Sequence, residues 1–117
     1  MSVKSDRLSH DHVLFDAVVA RAASINPAIR RGTMFGSPAI YVGRRIAICV
    51  HGTELGLRVP ETLARRSIED GRATSFQPYG KAPMREWIAL GGGLNALEGR
   101  DDLLQAALTF ADQNNAR

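Results

Sequence analysis

The chain has 117 residues, of which 44% are hydrophobic and 23% charged, a balance that predicts one soluble domain with a modest core and excludes a disordered chain. Its net charge is +3 and thirteen of its fifteen basic residues are Arg, whose planar fork suits phosphate recognition, although GC-rich coding gives the same preference. The single cysteine, Cys49, excludes an internal disulfide and fits a reducing compartment. The start, Met1 to His12, is polar, and the longest aliphatic or cysteine run, Ile46 to Val50, is too short to span a bilayer, so a cytoplasmic protein is expected.

The first element is expected to be a helix from Ser9 to Ser24. Ser9 is the candidate N-cap and Asp11 complements the helix dipole in the first turn. Phe15, Val18, Val19 and Ala22 recur at helical spacing, and Asn26-Pro27 ends the run. Strands follow. Ala39 to Val42 is a short apolar run, and Gly43-Arg44 supplies a tight turn. Ile46, Ile48 and Val50 then alternate with smaller residues, and after Gly52-Thr53 the same alternation holds for Leu55, Leu57 and Val59. Period-2 alternation between short turns predicts an antiparallel meander with one buried and one wetter face.

Pro60 and Glu61 open a second helix that runs to about Asp70 and stops at Gly71. A short strand is expected over Thr74 to Phe76, then a loop from Gln77 to Pro83 stiffened by two prolines, then a strand over Arg85 to Leu90. Gly91-Gly92-Gly93 reads as a flexible connector before a last helix from about Asp101 to Gln113, with Leu104, Leu108 and Ala111 on one face. The expected fold is α+β over residues 1–117, one domain. It has a single antiparallel sheet, helices at both ends and one helix between strands.

Taken in order, Met34-Phe35-Gly36, Ile40-Tyr41-Val42, Ile46-Ala47-Ile48 and Leu55-Gly56-Leu57-Arg58 form the first half of a split pattern. Phe76-Gln77-Pro78, Pro83-Met84-Arg85-Glu86-Trp87-Ile88 and Leu103-Leu104 form the second. This ordered set, spanning residues 32–111, resembles the TfoX/Sxy N-terminal domain family. The resemblance implies an α+β domain distantly similar to the MmcQ/YjbR-like fold. It also implies kinship with bacterial regulators of natural competence, which carry a second, helical domain after this one. The chain ends at Arg117, so a stand-alone copy of the N-terminal domain is expected. The family supplies no catalytic residues to transfer.

The residues themselves offer few chemical constellations. Cys49 and His51 lie two apart on one strand and share a face, so they form a candidate dyad for an uncharacterised enzyme. A cysteine in an apolar strand is more often a small buried hydrophobe. His10 and His12 point to different sides of a helix, and the spacing of His, Cys and acidic residues suggests no metal site. The glycine triplet lacks the Lys-Ser/Thr of a phosphate loop, and no cofactor is expected. Arg30-Arg31 and Arg44-Arg45 are the candidate nucleic-acid contacts, whereas Arg65 and Arg66 have acidic neighbours four positions away on their helix.

Phe76, Tyr79, Lys81, Arg85 and Trp87, on or beside the proline-bounded loop, are the candidate partner surface. The leading expectation is therefore a non-enzymatic interaction or regulatory module acting through protein contacts. Homo-oligomerisation is compatible with this reading. Direct nucleic-acid binding and enzymatic use of Cys49 and His51 are the alternatives.

Overall fold

The computed structural model describes residues 9–78 and 82–115. Its first helix, α1, spans His12–Ile25 and begins later than the periodicity alone suggests. Asp11, not Ser9, is the cap: its Oδ1 accepts the Leu14 backbone N–H at 2.9 Å. The Asp11 N–H donates to the Gly52 carbonyl at 2.8 Å, which fixes the approach to the helix.

Six strands form one antiparallel sheet. They are β1 (Ile29–Met34), β2 (Ser37–Val42), β3 (Arg45–His51), β4 (Glu54–Arg58), β5 (Thr74–Ser75) and β6 (Trp87–Leu90), in the order β1-β2-β3-β4-β6-β5. The α+β expectation holds. β1 is a correction: the sequence reading starts the strands at Ala39, but one strand precedes it, and Arg30 and Arg31 lie within that strand. Its sequence, Ile-Arg-Arg-Gly-Thr-Met, has no apolar alternation because it is an edge strand with β2 as its one neighbour.

Helix α2 spans Glu61–Glu69 and packs against β5 and β6. The last glycine of the triplet belongs to a structured connector. Gly93–Leu97 forms a 3₁₀ turn whose Ala96 and Leu97 are buried, and α3 then runs over Asp101–Asn115, two residues longer than expected.

One sheet face carries the main core. Ile40, Val42, Ile48, Val50, Leu55, Leu57, Ile88 and Leu90 meet α1 through Leu14, Phe15 and Val18, and α3 through Leu104, Leu108 and Ala111. The other face is not simply wet. Ala39, Cys49, Gly56 and Ala89 are successive cross-strand partners on β2, β3, β4 and β6. These small side chains make a low row across the sheet, and the ring of Phe76 lies on it. A Cβ on Gly56 would come within 3.0 Å of both Cys49 Sγ and Phe76 Cζ, so only glycine admits the ring at that point. Phe76, Trp87, Ala39, Cys49 and Ala89 form a second apolar cluster, with Met34, Tyr41, Ile46 and Met84 half-buried around it.

The two halves of the split pattern therefore meet in space. Met34 from the first half and Phe76, Met84 and Trp87 from the second belong to the same cluster on the face away from α1 and α3. Burying a ring such as Phe76 contributes about 1.5–3 kcal/mol, so part of the pattern has a packing cause.

Candidate functional site

The β1–β2 hairpin turns on Phe35 and Gly36, with φ of 50° and 85°. Two central residues of positive φ are what a type I′ turn requires, and the turn suits the twist of the strands it joins. Glycine fills the second position without strain. The first is ordinarily Asn, Asp or Gly, and here it is Phe, the one non-glycine residue with positive φ in the described chain. Its ring is 79% exposed. The sequence reading places Met34-Phe35-Gly36 at the head of the split pattern and assigns Phe35 no contact role. The signal it offered was an aromatic residue directly before a glycine at a strand boundary.

The proline-bounded candidate surface divides. Phe76 is wholly buried and Trp87 is 7% exposed, with their ring centroids 5.3 Å apart. Phe76 is closed to direct contact in this conformation, whereas Trp87 keeps an edge on the surface that carries Arg85 and Met84. Tyr79 and Lys81 lie outside the described residues. Arg85 is exposed, on the rim of a groove of about 220 Å³ between α2 and the segment leading into β6. Ile68, Met84 and Trp87 line this groove together with Glu61, Arg65 and Arg85.

At the end of the sheet near Phe35, Ser37 and His51 come together. Ser37 Oγ lies 3.3 Å from His51 Nδ1, and Ser37 is almost fully buried. The His51 ring stands edge-on to Phe76 with centroids 6.1 Å apart, and the His10 ring lies 5.7 Å from it. His10 Nδ1 accepts the Gly52 N–H at 3.0 Å. Burial first, then the neighbouring His10, hold His51 below the usual histidine range, with Glu54 pulling the other way. His10 is held low by burial and by His12.

Cys49 does not have the character of a nucleophile. It is wholly buried, and burial followed by the charge of Glu54 pushes its thiol up to about 12, so it stays protonated at neutral pH. Among the described residues no group of three His, Cys, Asp or Glu side chains is placed to hold a metal ion.

The four arginines separate as well. Arg31 faces α1, pairs with Asp16 at 2.8 Å and stacks over Phe15. Arg30 projects to the other face, lies 5.0 Å over the Tyr41 ring and donates to the Gly43 carbonyl at 2.9 Å. Arg44 and Arg45 flank the same β2–β3 turn and are exposed. No helix among the described residues is long and apolar enough to cross a membrane. In comparisons with known proteins, no family model, no curated protein and no solved structure matches the chain.

Proposed function

We propose that this chain is a non-enzymatic interaction module, a relative of the TfoX N-terminal domain, that engages a protein partner over the sheet face built by the two halves of the split pattern. One observation carries the reading: the Phe35 ring stands 79% exposed on a backbone of positive φ. Such a conformation costs an ordinary side chain on the order of 1–2 kcal/mol, and Asn or Gly would avoid most of that cost. Exposed aromatics are common anchors of protein interfaces. Arg85, on the groove rim beyond Trp87, is the second contact on this reading. Phe76 and Trp87 act beneath it by fixing the shape of the surface.

The test is affinity capture with chemical cross-linking from whole-cell extract, comparing the wild type with Phe35→Asn and Arg85→Glu. A stoichiometric protein partner retained by the wild type and lost from both folded variants is the expected result. Equal capture by all three sinks the reading, as does a wild type that captures no partner.

A further inference from the structure

We propose that the β2–β3 turn end of the sheet binds the phosphate backbone of a nucleic acid through Arg30, Arg44 and Arg45. This site lies at the opposite end of the β1–β2 hairpin from Phe35: Met34 pairs with Ser37 beside the hairpin tip, whereas Ile29 pairs with Val42 beside Gly43. It stands independently of the protein-contact reading.

The charges there have no carboxylate partner among the described residues. Arg21, Arg31, Arg58, Arg65 and Arg72 each have a carboxylate partner. Arg30, Arg44 and Arg45 have none within ion-pair distance among the described residues, yet they gather around one turn. The turn is held by contacts that do not use the Arg44 or Arg45 side chains. Asn115, at the end of α3, accepts the Arg44 backbone N–H at 3.1 Å through Oδ1 and donates through Nδ2 to the Val42 carbonyl. Gly43 takes φ of 61°, and a Cβ there would lie 2.7 Å from Asn115 Oδ1.

The Arg30 guanidinium and the Arg44 backbone are thus held in place, and the Arg44 and Arg45 side chains extend from that fixed turn. Tyr41 supports Arg30 from below, and the Tyr41 hydroxyl is itself anchored by donating to the Thr33 carbonyl at 2.8 Å. Gly43, Arg44, Arg45, Asn114 and Asn115 line an open cleft of about 500 Å³. The C-terminal end of α3 gives Arg44 and Arg45 a structural reason to be basic, because cations stabilise that end of a helix. It gives none for Arg30, which approaches from the other sheet face.

Three guanidinium groups without a carboxylate partner among the described residues, gathered at one turn, suit a repeated anion more than a single one. Each retains N–H donors for phosphate oxygens, and contacts of this kind read charge and spacing rather than sequence. Affinity that varies little with base sequence and falls steeply with salt follows.

Fluorescence anisotropy with a labelled DNA duplex, measured across salt concentrations, tests the site. Three phosphate contacts predict a log–log slope of about −2.7, at roughly −0.9 for each contact. The triple variant Arg30→Gln/Arg44→Gln/Arg45→Gln should lose binding. The charge-matched triple variant Arg21→Gln/Arg66→Gln/Arg72→Gln should keep its slope. If the first triple variant fails to fold, Arg30→Gln and Arg44→Gln taken singly should each make the slope shallower by about 0.9. No binding by the wild type at low ionic strength overturns the proposal. So does equal loss in both triple variants, or inorganic pyrophosphate binding as tightly as the duplex.

Discussion

Phe35 carries its ring on a backbone that hairpin turns ordinarily give to Asn or Gly. Burial explains the presence of Phe76 and Trp87, whereas Phe35 stays 79% exposed. The dipeptide Phe35-Gly36 was visible in the sequence, but the positive φ of Phe35 was not. Side-chain type disfavours that conformation, and only the pairing of β1 with β2 requires it. Cys49 offers a second prediction at this scale. Its thiol is buried and held protonated, so alkylation of the native protein at neutral pH should run at the rate of global or local unfolding. Reaction with iodoacetamide as fast as a free thiol in a peptide would refute the placement of Cys49.

Among the elements, the meander was the most legible. Ile48, Val50, Leu55 and Leu57 alternate with other residues at period 2, and β3 and β4 lie where the alternation puts them. β1 escaped notice because an edge strand buries little, so no apolar period marks it. The start of α1 was misplaced because the Asp11 cap depends on a tertiary contact. The Asp11 N–H bonds the Gly52 carbonyl and His10 Nδ1 accepts the Gly52 N–H, so the β3–β4 turn decides where the helix begins.

That junction should be pH-sensitive. The His10 and His51 pKa values are both lowered from 6.5, so the unfolded chain binds protons first as pH falls. Their contribution is present above pH 6.5 and is lost progressively as pH drops below it towards their folded values. The melting temperature should therefore fall as pH drops below 6.5, with His10→Asn showing a shallower decline. His10→Asn following the wild-type pH profile unchanged would remove His10 from this account.

For the whole molecule, the radius of gyration of 13.7 Å is close to the roughly 13 Å expected of a compact chain this long, so both faces of the sheet belong to one folded body. The sequence reading anticipated one packed face and one wetter face. The second apolar cluster was hidden because it is assembled from distant pieces: Met34, Cys49, Phe76 and Trp87 come from four separate segments. The low row that receives Phe76 is made of Ala39, Cys49, Gly56 and Ala89, residues too small to stand out in any periodicity. Phe76→Ala should cost about 3–5 kcal/mol in chemical denaturation, comparable to a main-core truncation. A cost below about 1 kcal/mol would mean that the second cluster is peripheral.

The central claim is that this second face serves contact, with Phe35 presented for that purpose. Phe35→Asn tests it most directly, because Asn tolerates the turn conformation while removing the ring. Paired thermal melts and cross-linking capture on this one variant should show a melting temperature unchanged or a few degrees higher, together with loss of the protein partner. A variant that melts well below the wild type would show that the ring serves the fold. A folded variant that keeps its partner would contradict the claim outright.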